Sequence, residues 1–310
     1  MKYHLKPSRI QVILTMVTLM RHNFSACFLG FLAFCLACGL PTGAVAGPRQ
    51  LSVFVSILPE EYFVKRIGGD RVRVEALVRP GQSPETYEPT PQQMARLART
   101  RIYFRIGVPF ENGLIPKLIR SMPNLTIIDL RAGLDLLELA GAQSGELDPH
   151  TWLDPLLVKK QARLIMETLI RFDPEGTKLY RTNYQQFARD LETLNNRLLT
   201  ILRPLAGRTV YVFHPAYGYF CRAYNLIQKA VIEHGKRPGG KRLARLIEQA
   251  RRDRVKVIFV QPQFSSKAAK TIAKAIGGTV VALDPLARDY MVNMKTMAEK
   301  LARGLHETAP

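Results

Sequence analysis

Along the chain, short runs of β-branched and aliphatic residues alternate with longer stretches in which apolar positions recur every three or four residues. The short runs predict strands at Leu51–Ile57, Val72–Val78, Ile102–Ile106, Leu125–Asp129, Thr209–Phe213, Lys229–Ile232, Val255–Val260 and Thr279–Leu283. The helical periodicity predicts helices at Glu60–Ile67, Pro91–Ala98, Leu156–Phe172, Lys241–Arg251 and Ser265–Ile276. Such alternation implies an α/β fold with mainly parallel sheets flanked by helices. Between the two groups of strands, Leu179, Tyr180, Tyr184, Phe187, Leu191, Leu194, Leu198 and Leu202 keep one face apolar over Gly176–Arg203. At the helical rise that stretch is roughly 42 Å long, enough for a rigid backbone helix joining two lobes.

The first 46 residues read as a targeting segment. The apolar run Phe24–Leu40 ends in Ala44-Val45-Ala46, a small-residue cleavage pattern, and Met20 as the true start gives it a short basic leader. Leu36-Ala37-Cys38-Gly39 offers a second reading, lipid anchoring at Cys38, although Cys35 stands where an aliphatic residue is usual. Cleavage after Ala46 and a periplasmic location are the favoured reading. The expected organisation is then a signal peptide (1–46), an N-terminal α/β lobe (47–173), a linking helix (174–206) and a C-terminal α/β lobe (207–310).

Charge and cysteine content change the picture next. The full chain of 310 residues carries 45 Lys and Arg against 25 Asp and Glu. Lys2, Lys6, Arg9 and Arg21 leave with the first 46 residues, and 41 basic residues remain against 25 acidic ones. Three of the four cysteines leave too, so only Cys221 stays, which excludes an internal disulfide and a cysteine zinc site. The excess of cations does not make a nucleic-acid site. Lys241, Arg242, Arg245, Arg251 and Arg252 share a helix whose Leu243, Ala244, Leu246 and Ile247 face a core, and no stacking or recognition motif accompanies them. An exported basic protein suits an anionic membrane surface better.

Four histidines lie beyond residue 46: His150, His214, His234 and His306. His150 sits in the Pro-bounded loop Asp148-Pro149-His150-Thr151-Trp152-Leu153-Asp154-Pro155, and His214 directly follows a predicted strand. Asp284 ends another strand, and Glu85 lies in the Pro-flanked segment after Val72–Val78. Ligands of open α/β sheets bind beyond the carboxyl ends of strands, so Glu85, His214 and Asp284 point at one crevice with His150 beside it. Two imidazoles and two carboxylates suit a divalent first-row metal: zinc if tetrahedral, manganese or iron if a carboxylate binds through both oxygens. Taken singly, each of these residues also fits a turn or capping role, and His234 and His306 are left to such roles.

At these positions the chain resembles the periplasmic metal-binding receptors of zinc- and manganese-type ABC importers, the adhesin-type solute-binding proteins. The resemblance runs through Ser56-Ile57, Phe63, Ile67-Gly68-Gly69-Asp70, Pro84 to Pro91, and Asp148 to Pro155. It continues through His214-Pro215-Ala216-Tyr217-Gly218-Tyr219-Phe220, Pro262-Gln263-Phe264-Ser265 and Asp284-Pro285-Leu286. It implies two α/β lobes joined by a long helix, with metal held between them and handed to a membrane permease powered by a cytoplasmic ATPase. It also implies ligands at positions 85, 150, 214 and 284. Glu85 departs from that pattern, which has His there, and so exchanges a nitrogen for a hard oxygen. His214 resembles the zinc branch, yet Ala132–Leu147 lacks the His-rich loop of many zinc receptors. The expectation is a monomeric, non-enzymatic carrier of zinc, with manganese or iron as alternatives and no nucleic-acid partner. An exported metallohydrolase using Glu85 or Glu88 as general base is one competing reading, although no His-Glu-x-x-His pattern occurs. A surface adhesin is the other.

Overall fold

The computed structural model describes residues 50–140, 145–231, 240–264 and 267–306. The targeting segment, Cys38, His234, Ile232 and Ser265 lie outside the described residues, as do the side chains of Arg242 and His306. The N-terminal lobe contains β1 (Leu51–Val55), α1 (Leu58–Gly68), β2 (Val72–Ala76), α2 (Pro91–Leu97), β3 (Ile102–Arg105), α3 (Phe110–Ser121), β4 (Thr126–Asp129) and α4 (Pro155–Phe172). After α5 (Thr177–Leu202) the C-terminal lobe contains β5 (Thr209–Val212), α6 (Gly218–Ala223), β6 (Ile227–Ala230), α7 (Gly240–Arg252), β7 (Val257–Val260), α8 (Lys267–Ala275), β8 (Thr279–Ala282) and α9 (Tyr290–His306). Each lobe has a four-stranded sheet, in the orders β2-β1-β3-β4 and β6-β5-β7-β8. Every pairing within these two sheets is parallel. The inner strands β1 and β7 are covered on both faces, which is why Val53-Phe54-Val55 and Val257-Ile258-Phe259-Val260 are unbroken apolar runs.

The long helix forms as its periodicity predicts. Its 26 residues correspond to roughly 39 Å. It buries Tyr180, Phe187, Leu191, Leu194, Leu198 and Leu202. Its start is fixed by Asp173, which accepts two hydrogen bonds of 2.7 Å from the Arg71 guanidinium and one from the Tyr180 hydroxyl. Gly176 is needed at that start, because a Cβ there would lie 2.4 Å from the Tyr180 ring. The helix packs on α1 and α4 of one lobe and on α9 of the other. Phe63 of α1 stands edge-on to Tyr290 of α9 at 4.9 Å and lies 6.0 Å from Phe187 of α5. One apolar cluster therefore runs from the first sheet through the helix into the second, and a separate one lies under α7 and α8. A shared core of this kind resists independent rotation of the lobes.

Some elements differ from the sequence expectation. β6 starts two residues earlier than predicted, because Ile227–Ala230 pairs with Thr209–Val212 at the sheet edge, where no apolar run is required. Helix α3 contains Pro116, which hides its helical pattern. In α7, Ala244 is exposed and Ala250 is the alanine that packs inward.

Candidate metal centre

Glu85 is held by the segment that follows β2. The Tyr87 hydroxyl donates to the Leu77 carbonyl at 2.6 Å, and the Gln93 amide donates to the same oxygen at 2.8 Å. Tyr87 also stands edge-on to Phe110 at 5.1 Å. These contacts fold the segment back over the carboxyl end of the sheet and turn Glu85 inward.

His150 is positioned by Asp148, two residues before it. One Asp148 oxygen accepts the His150 backbone N–H at 2.9 Å and pairs with ring Nδ1 at 2.7 Å. With the carboxylate as acceptor, Nδ1 carries the proton and Nε2 presents its lone pair. Asp148 is only 1% exposed. Gly218 makes the room, since a Cβ there would sit 2.6 Å from Asp148 Oδ2. The loop is tied across the lobes: Tyr219 donates to the Asp148 carbonyl at 3.0 Å, and Trp152 Nε1 donates to the Pro285 carbonyl at 2.8 Å.

His214 follows β5, whose path continues through the Phe213 N–H bond to the Phe259 carbonyl at 2.7 Å. Its ring stacks on Phe264 at 4.9 Å, and Gln261 donates to its carbonyl at 3.2 Å. Its Nε2 lies 3.4 Å from Glu85 Oε1, and its ring centre lies 5.5 Å from that of His150. Glu85, His150 and His214 each offer one ligand atom, and these atoms all fall within 4.8 Å of one another. Among the described residues they are the group of three or more such side chains with that spacing.

Asp284 is not within that group. Its Oδ1 accepts the Gln263 amide at 2.7 Å and the Leu286 N–H at 2.9 Å. It lines an adjoining cavity with Arg79 and Arg288, while Gln263 lines both that cavity and the one around the imidazoles. Sequence reasoning missed Asp148 as the positioning group, although an acid two residues before a candidate ligand is a usable signal. It also missed Phe264 and Trp152 as walls, since nothing local marks a ring that packs on a distant histidine.

The electrostatics of His214 and Glu85 favour a cation. Burial, with a smaller contribution from nearby His150, pushes the His214 imidazole down to about 3, so it stays neutral at physiological pH. Its Nδ1 is buried without a hydrogen-bond partner among the described residues. Burial likewise raises the Glu85 carboxyl above its ordinary range, with His150 opposing the shift and Glu146 adding to it. A neutral nitrogen donor and a carboxylate short of positive charge are both stabilised by a metal ion.

Two parallel-sheet lobes on a shared helix, with oxygen and imidazole donors converging between them, define a two-lobed solute receptor for a metal cation. The chain belongs to the family described as ZnuA, "Zinc-uptake complex component A periplasmic", whose family model matches residues 53–304. It is similar to a solved structure titled "Crystal structure of ZnuA", with 41% identity, a TM-score of 0.78, and coverage of 82% of this chain and 99% of that one. The high-affinity zinc uptake system protein ZnuA of Bacillus subtilis is 26% identical over 84% of this chain and 86% of its own. The manganese ABC transporter substrate-binding lipoprotein PsaA of Streptococcus pneumoniae is 26% identical over 91% of this chain and 97% of its own. This is a family of extracytoplasmic substrate-binding proteins of metal ABC importers.

Proposed function

We propose that the exported chain captures one divalent transition metal, zinc by preference, and carries it to a membrane permease driven by an ATPase. The observation that carries this reading is the convergence of Glu85, His150 and His214 between the lobes, with His214 kept neutral by burial. The two imidazoles favour zinc, and the Glu85 oxygen leaves manganese and iron as the alternatives. Asp284 is the proposed fourth ligand. Its support is its place beyond β8 and its bond to Gln263, whose side chain also borders the metal cavity. On this reading the chain works as a monomer, performs no reaction, and uses the organisation 1–46, 47–173, 174–206 and 207–310.

The test is metal titration with elemental analysis of residues 47–310. The expected result is one equivalent of bound metal and a raised melting temperature, since a ligand bound only by the folded state stabilises it by about 4 kcal/mol at a thousandfold excess over Kd. No melting shift with zinc, manganese or iron at neutral pH overturns the proposal.

A further inference from the structure

Helices α7 and α8 cover one face of the C-terminal sheet and turn a cationic surface outward. Inward, Leu243, Leu246 and Ile247 of α7 meet Ala269, Ile272 and Ala273 of α8 in one apolar cluster. Outward, α7 exposes Lys241 and Arg245, one helical turn apart, and α8 exposes Lys267, Lys270 and Lys274 along one stripe. None of these five is in an ion pair among the described residues. The two helices form one surface, because the Arg251 guanidinium at the end of α7 donates to the Ala275 carbonyl at the end of α8, at 2.7 and 3.2 Å. Acidic relief is sparse. Glu248 is exposed on α7, and Asp253 is already engaged by Lys229 at 2.7 Å and by the Tyr211 hydroxyl.

We infer that this α7–α8 face is a docking surface for an anionic phospholipid bilayer, holding the receptor beside the membrane in which its permease resides. The occupant follows from charge complementarity and compartment. The five cations lie on outward helix faces rather than in a groove, and among the described residues no exposed aromatic side chain accompanies them, as stacking on nucleobases would require. Lysine and arginine near an anionic headgroup layer each add to adsorption, and the attraction fades within a Debye length. The family is extracytoplasmic, where lipid phosphate is a standing anionic surface. The surface is independent of the metal ligands, so the inference goes beyond the proposed transport role.

The test uses the exported, processed protein and vesicles of phosphatidylglycerol or phosphatidylcholine. Five charge reversals, Lys241→Glu, Arg245→Glu, Lys267→Glu, Lys270→Glu and Lys274→Glu, are compared with the parent. The parent is expected to partition onto phosphatidylglycerol in preference to phosphatidylcholine and to release as salt rises from about 0.05 to about 0.5 M. The reversed variant is expected to lose that preference by on the order of tenfold or more. A milder variant, Lys267→Gln with Lys270→Gln and Lys274→Gln, guards against misfolding and should show a partial loss. Metal titration of each variant should match the parent, which separates this inference from the transport proposal. Equal partition onto both lipids, an unaltered preference in the reversed variant, or tighter retention on a DNA duplex at equal phosphate concentration overturns it.

Discussion

Acidifying the metal-free protein should expose the cost of burying His214. Its imidazole titrates near 3 in the folded state because burial disfavours the charged form, against about 6.5 in an unfolded chain. Above that unfolded value both states hold a neutral ring and the group contributes no pH dependence. Below it the unfolded chain takes up a proton that the folded one refuses, so stability falls at about 1.4 kcal/mol per pH unit. Between about pH 6.5 and 4.5 the loss is about 2 kcal/mol, a sizeable part of a typical folding free energy. Glu85 works in the opposite sense: its raised carboxyl holds a proton in the folded state that the unfolded chain has released, so acidification favours folding through that group. The comparison therefore needs a Glu85→Gln background, in which His214→Gln is set against His214. Urea unfolding with a chelator present, at several pH values from about 7 to about 4.5, measures the difference in slope. Parallel stability profiles for the two proteins would refute the claim that burial keeps His214 neutral.

Substitutions at three positions address the site by metal titration against a competing chelator. Glu85→Ala should weaken binding by at least about tenfold and Glu85→Gln nearly as much, whereas Glu85→His should restore it and shift preference toward zinc over manganese; an alanine variant equal to the parent for every metal removes Glu85 from the site. Asp148→Asn should cost roughly 10–100-fold in affinity, because the bond that orients His150 loses its charge; unchanged affinity means the ring is oriented by packing alone. Asp284→Ala should weaken binding without lowering the melting temperature of the metal-free protein by more than about 1 kcal/mol equivalent, and full retention of affinity excludes it as a ligand.

The strands and the long helix were readable because their cause is local. Leu191, Leu194, Leu198 and Leu202 face one core at helical spacing, and Val257-Ile258-Phe259-Val260 is covered on both sides. The edge strand Ile227–Ala230 begins two residues before its sequence expectation because its position is set by pairing with β5 rather than by its own side chains. Glu85, His150 and His214 were legible as candidates, being chemical groups at loop positions beyond strands. What orients them was not. Trp152 reaches the Pro285 carbonyl across 133 residues of sequence, and Tyr219 reaches the Asp148 carbonyl across 71, and bonds of that span leave no periodicity to read.

Charge balance further supports the proposal that Asp284 serves as the fourth ligand. On the proposed ligand set, in which each imidazole binds through an unprotonated nitrogen, Glu85 alone would leave a bound divalent ion with one uncompensated positive charge. The two imidazoles are almost fully buried, and an unpaired charge there is costly. A second carboxylate removes that penalty, and water or a neutral amide does not. Gln263, which borders the cavity around the imidazoles, already holds the Asp284 carboxylate at 2.7 Å, so exchanging that hydrogen bond for a cation would replace a neutral donor by a charge. The exchange also gives discrimination. A monovalent ion would be balanced by Glu85 alone and would gain less than a divalent one from drawing Asp284 away from Gln263. On this proposal a divalent ion gains the second carboxylate, and selection for charge would reside in whether Asp284 is recruited.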